Sequence, residues 1–241
     1  MSHDSANTTS RLDGFIHTEL ATILSAVNPA RALEMAASIV ENDRWNSFDR
    51  WHQTSRRLKA AYDACGASGE ILSIPTGGLR GDGKWIIPEA ADIVEGTLDL
   101  IAPVARRLLD YRQCPWHVAQ WSAATPQEGM NYELVVIDFE EQLTSAGWGS
   151  LSGKFVLTRL DPRIHRAKFC RAGAAGLVCD SPVAEYPDAV AWTKFGWGGL
   201  DLWEGATPLI GFAISAADGD SLRAMLRKGE RSEERRVGKE C

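Results

Sequence analysis

The strongest constraint on what this chain folds into is an alternation of short apolar runs and helix-starting signals between residues 131 and 227. Tyr132–Asp138 and Lys154–Leu160 are rich in Val and Leu and read as strands. Asp161-Pro162 then supplies an N-cap and a first-turn proline for a helix ending near Gly173. Leu177-Val178-Cys179 follows as a buried strand, Pro208–Ser215 as another, and Asp220–Arg227 as a closing helix. Strand, strand, helix, strand, loop, strand, helix describes an α/β module of about 100 residues.

Ahead of that module the period is helical. Leu12, Phe15, Ile16, Leu20, Ile23, Leu24 and Val27 recur at three- and four-residue steps and line one helix face. Asn28-Pro29 ends that helix and starts a second, whose apolar face carries Ala32, Leu33, Ala36, Ile39 and Val40. A third is expected over Arg57–Cys65, stopping at Gly66. Strands are then expected at Glu70–Pro75, Gly96–Ile101, Ala105–Tyr111 and Trp116–Ser122. The loop Thr76–Gly83 is glycine-rich but lacks a Gly-Lys-Ser/Thr ending and opens no helix, so it reads as a turn and not a phosphate cradle. The fold class is α/β, or α+β overall: N-terminal helices with a partial sheet, then a β-sheet domain flanked by helices.

The last eleven residues, Arg231 to Cys241, read RSEERRVGKEC and resemble a translated sequencing adapter. They are set aside as a non-native tail. Their removal takes away four basic and three acidic residues and leaves 22 Lys+Arg against 29 Asp+Glu, a net charge of −7. Such an acidic chain is not expected to bind nucleic acid. No apolar run approaches the length of a membrane span, and the polar start lacks the build of a secretory signal, so the expected location is cytoplasmic. Cys65, Cys114, Cys170 and Cys179 form no CxxC or zinc spacing and read as reduced, small core residues.

Three segments carry a family likeness. Leu151-Ser152-Gly153-Lys154-Phe155-Val156-Leu157 resembles the L-x-G-K-I-V-L strand of the protease-associated (PA) domain, and Ala172–Val178 resembles its A-G-A-x-G-V-I helix-to-strand turn. Small residues there let the helix end pack on the sheet, and glycine tolerates the turn's backbone angles. Pro208–Ser215, followed by Gly219 and Leu222, resembles the closing P-x-x-x-I-S…G-x-x-L segment, and Gly196-Trp197-Gly198-Gly199 sits where such domains carry a Gly-rich loop. Glu70, Pro75, Gly81-Asp82-Gly83-Lys84-Trp85 and Pro88 are similar to the N-terminal region of di-zinc aminopeptidases of the glutamate carboxypeptidase II and transferrin-receptor kind. The polar composition of residues 1–10 reads as a disordered start, and residues 231–241 are the non-native tail; between them the resemblance implies a helical region with part of a peptidase-domain sheet (11–125) and a PA domain (126–230). It implies a zinc-dependent exopeptidase acting on peptides, with two zinc ions held by ligands beyond this chain and the PA domain shaping substrate access. A non-catalytic PA-domain binding or sorting module is the other class it leaves open. Oligomeric state is not legible.

No catalytic or metal-ligating residue is expected within the chain. His3, His17, His52, His117 and His165 begin no His-x-Asp, and no Gly-x-Ser-x-Gly elbow occurs. Glu140-Glu141 reads as a solvated acidic turn in a loop, and His117 near Cys114 as a structural histidine. Trp192, Trp197 and Trp203 cluster in the long loop of the PA-like region and are the candidate substrate-binding residues, because aromatics are enriched at recognition surfaces.

Overall fold

A computed structural model describes residues 4–77, 90–145, 147, 149–196, 206, 208–227 and 233–235, and it divides into two compact units, residues 1–42 and 43–241. The first unit holds α1 (Asp4–Ala26) and nearly all of α2 (Pro29–Asp43). Asn28 caps α2, its side-chain oxygen accepting from Arg31 N–H at 3.1 Å. The apolar stripe foreseen on α1 is present but exposed: Phe15, Ile16, Leu20, Ile23, Leu24 and Val27 all face outward. The helix starts at Asp4, ahead of the first periodic residue, Leu12.

The second unit is a mixed α/β fold, and its core is a parallel sheet. β3 (Asn131–Val136), β4 (Lys154–Thr158), β5 (Gly176–Cys179) and β6 (Ile210–Ala213) lie side by side in chain order. Leu134 pairs Phe155, Val156 pairs Leu177, and Val178 pairs Phe212. Both sheet faces are covered, so alternate residues enter different cores. Leu134, Phe155, Leu157, Val178 and Phe212 join one cluster, with Leu222 of α6 (Ala216–Arg227). Val156, Leu177 and Cys179 join the other, with Phe169 of α5 (Pro162–Ala172). Of the residues the apolar runs mark as core, Val156, Leu157, Leu177, Val178 and Ile210 are buried and Val135 is half-buried.

Local signals set the helix ends. Asp161 caps α5 by accepting from Arg163 N–H at 2.9 Å, with Pro162 in the first turn. Gly173 closes α5 in the left-handed region at φ 81°, and Ala174 N–H then bonds Phe169 O. Gly176 must be small, because a Cβ there would overlap the Phe155 ring. Ser215 caps α6, its Oγ accepting from Asp218 N–H at 3.1 Å while its hydroxyl donates to the Asp218 carboxylate at 2.8 Å.

Elsewhere the structure corrects the expectations. α3 (Phe48–Ala64) starts nine residues before Arg57, and α6 starts at Ala216. Residues 70–75 form no strand: Ile71, Leu72 and Ile74 are exposed and no neighbouring strand accepts them. Residues 116–122 form none either. Pro115 opens a single 3-10 turn, Pro115–His117, and Trp121 takes a positive φ, so the segment makes only isolated bridges at Val118 and Gln120. Glu140 and Glu141 are the first turn of a short helix, α4 (Glu140–Ser145), not a loop; Gln142 Oε1 accepts from Asp138 and Phe139 N–H and nucleates it.

The partial sheet of the N-terminal half is a hairpin of β1 (Thr97–Leu100) and β2 (Arg106–Asp110). It reaches β3 through β7 (Glu233–Arg235), antiparallel to both neighbours. β7 lies in the stretch resembling adapter sequence. A ladder uses backbone groups that every residue carries, so the pairing says nothing of where those residues come from. Among the described residues no helix is long and apolar enough to cross a membrane.

Candidate functional site: an aromatic cleft

Tryptophan placement distinguishes the surface of the second unit. The segment Ala119–Ala123 is stitched into the fold from two sides. Gln120 N–H donates to Thr193 O (3.0 Å), Phe195 N–H to Gln120 O (3.1 Å), Ala119 N–H to Gly211 O (3.0 Å) and Ala123 N–H to Leu209 O (2.9 Å). Gly211 N–H also donates to Ser122 Oγ at 2.9 Å. These bonds close a tight turn, Ser122 N–H to Ala119 O, and force Trp121 to φ 61°, a conformation that ordinarily selects glycine or asparagine. Such a residue costs about 1–3 kcal/mol and persists only where its surroundings over-determine it.

Trp121 lines a cleft of about 420 Å³ together with Trp45, Phe48 and Trp51, and with Asp43, Asn46 and Gln120 as polar lining. Trp45 is anchored edge-on to the buried Tyr111, their centroids 5.3 Å apart. The linker before α3 is held by Ile93 N–H donating to Asn46 O at 2.8 Å. Phe48 and Trp51 project from the first turn of α3 and are exposed. Asp43 accepts from Thr54 Oγ1 at 2.6 Å. Cations ring the aromatics: Arg44 and Arg50 lie 5.3 and 5.2 Å from the Trp45 centroid, and Lys194 lies 5.5 Å from Trp121 and 5.6 Å from Trp192.

Of the three tryptophans chosen from sequence, Trp192 is thus joined through Lys194 to Trp121 at the cleft, while Trp197 and Trp203 lie outside the described residues. Trp45, Phe48, Trp51 and Trp121 were not foreseen. Their one sequence signal is their aromatic character; their convergence comes from segments about 70 residues apart.

A second concentration of charge closes the carboxyl ends of the parallel strands. Arg223, nearly buried on α6, hydrogen-bonds Asp138 after β3 and the fully buried Asp180 after β5, and Arg159 adds a contact to Asp180 at 3.4 Å. Burial pushes the Asp138 carboxyl up, but hydrogen bonds and charge from Arg223, with help from Arg159, outweigh it and hold Asp138 below the usual carboxylate range. Every carboxylate here has a cation, so the cluster reads as a clamp and not as reacting groups.

His117 Nδ1 lies 2.8 Å from Ala213 O, a structural contact across to β6. Glu140 pairs with Lys168 of α5, which holds its carboxyl below the ordinary value. Cys170 and Cys179 are buried thiols with raised pKa, burial being the main cause, and so are poor nucleophiles; Cys65 is exposed. Among the described residues no group of three or more His, Cys, Asp or Glu side chains could hold a metal ion, so the donor set that two zinc ions need does not fit them.

Neither a family model nor a curated protein matches the chain. Among solved structures it is similar to a peptidase M28 precursor from Shewanella amazonensis, at 19% identity and a TM-score of 0.47 over 61% of this chain and 34% of that one. It is also similar to a zinc aminopeptidase from Bacillus subtilis, at 19% identity and a TM-score of 0.39 over 59% and 29%. A third is a subtilisin-like protease from Pseudoalteromonas sp. AS-11, at 14% identity and a TM-score of 0.35 over 59% and 33%. The chain spans about a third of the length of each.

Proposed function

We infer that this chain is the N-terminal part of a zinc-dependent exopeptidase of the aminopeptidase type, located in the cytoplasm, whose PA-type domain shapes peptide access. The carrying observation is the order of the motif segments in the fold. The L-S-G-K-F-V-L run is β4, the A-G-A-A-G-L-V run is the α5–β5 turn, and the P-L-I-G-F-A-I-S run with Gly219 and Leu222 is β6 and α6. Three glycines of those motifs have a reason in the backbone or the packing. Gly173 takes the left-handed cap, Gly176 admits the Phe155 ring, and Gly219 admits the Asp180 carboxylate.

Zinc, where bound, would polarise a peptide carbonyl and supply hydroxide near neutral pH. The described residues offer no site for it. Their own contribution is to present an aromatic surface beside which a peptide is held.

The second reading, a non-catalytic PA-type module that binds peptides, is favoured by the aromatic cleft standing without a donor cluster among the described residues. Sequencing the native gene past Glu230 separates the two. The exopeptidase reading expects a His-x-Asp and, later, an adjacent Glu-Glu; a stop codon or a membrane span in their place sinks it.

A further inference from the structure

We propose that the Trp45–Trp51–Trp121 cleft is a peptide-binding subsite that takes a large apolar side chain followed by a carboxylate. The proposal rests on the reading that this protein handles peptides. Three independent features carry it. The cleft walls are aromatic, contributed by Trp45, Phe48, Trp51 and Trp121, and about 420 Å³ accommodates a phenylalanyl or leucyl side chain with part of its backbone. The turn that presents Trp121 is strained at a non-glycine residue and pinned by hydrogen bonds on both sides, the arrangement found where a side chain must be held for a ligand.

Charge sets the third feature. Arg44 and Arg50 stand over the Trp45 ring and Lys194 over the Trp121 ring, beside the described lining residues and not among them, whereas Asp43 is the one carboxylate among those lining residues and is engaged by Thr54. Ring faces that already carry cations repel a further cation, and cations beside the cleft attract an anion. An aromatic residue with an acidic neighbour matches both the walls and these cations.

The test is calorimetric titration of the whole chain with acetyl-Phe-Glu, acetyl-Phe-Lys and acetyl-Ala-Glu. Acetyl-Phe-Glu should bind best, and acetyl-Ala-Glu about tenfold or more weaker, the loss expected for leaving an aromatic pocket unfilled. Trp51→Ala, at a side chain 61% exposed and so separable from folding, should weaken acetyl-Phe-Glu about tenfold. Lys194→Gln should erase the preference for Glu over Lys while leaving the preference for Phe over Ala. Equal binding of the three peptides, no binding of any, or affinities unmoved by Trp51→Ala in a variant of unchanged circular dichroism would overturn the proposal. Hydrolysis plays no part in the readout. Absent binding therefore leaves the exopeptidase reading to its own test, and binding without a downstream His-x-Asp keeps the cleft while that reading falls.

Discussion

Arg223 lies 85 residues from Asp138 and 43 from Asp180 along the chain, yet its guanidinium engages both carboxylates. Planar, forked and always charged, it does what a lysine cannot: it satisfies two carboxylates, one of them with no exposed surface, from one position. Arg223→Met should cost about 3–5 kcal/mol in urea unfolding, because it leaves Asp180 buried without its main partner. Arg223→Lys should recover only part of that. The pH dependence has a definite sign. Asp138 has a depressed folded pKa, so its stabilisation is fully present above the unfolded carboxylate value and is lost as pH falls through the folded one. Wild type should therefore lose stability below about pH 4, and Asp138→Asn, already weakened at neutral pH, should show a shallower loss in the same window. The thiols give a second residue-scale prediction. Peptide mapping after brief alkylation of the folded protein should find Cys65 modified and Cys170 and Cys179 protected until denaturant is added.

Two glycines separate the elements that are packed from those that are not. On α6, a Cβ at Gly219 would run into the Asp180 carboxylate, so the glycine is what lets this helix close on the end of β5. Gly219→Ala should lower the unfolding free energy by about 1–3 kcal/mol, and more if Asp180 is pushed off Arg223. On α1, Gly14 has nothing within 4 Å, and Gly14→Ala should raise helix stability by about 0.5–1 kcal/mol, read from the helical signal of a peptide spanning residues 4–26. A Gly219→Ala variant as stable as wild type would remove the steric account of the clamp. The same contrast explains which elements sequence foretold. α5, whose proline start, aspartate cap and left-handed glycine end are all local, appears where its residues say. α4 was missed because its start depends on a Gln142 side chain folding back on two backbone amides, a signal weaker than the paired acids that suggested a loop. The expected strand at 70–75 failed for a different reason: apolar alternation gives a segment the ability to pair, but a ladder also needs a neighbour.

Across the whole chain, burial is uneven, and this too is measurable. β4 and β5 are covered on both faces, whereas the apolar stripe of α1 and Leu33 and Val40 of α2 are exposed. Most helical stability in proteins comes from packing an apolar face, which these helices lack among the described contacts. Native-state hydrogen exchange should therefore find the slowest amides in residues 154–158 and 176–179 and the fastest in residues 13–40; comparable protection in both would show that the helices have found a cover. What sequence by itself determined was a set of features governed by near neighbours. Strands over Tyr132–Asp138, Lys154–Leu160 and Leu177–Cys179, which the structure places at 131–136, 154–158 and 176–179, were legible with the caps of α2 and α5 and the small residues at Gly173 and Gly176, because period, cap chemistry and backbone angle act within a few residues. The tertiary structure alone decided what must be assembled from distant segments. It brought Trp45 and Trp51 opposite Trp121, set Lys194 over two indole rings, and sealed the strand ends with Arg223, Asp138 and Asp180. A tryptophan's identity does not reveal its partner, and a buried charge is tolerable only once the fold has delivered its counter-charge.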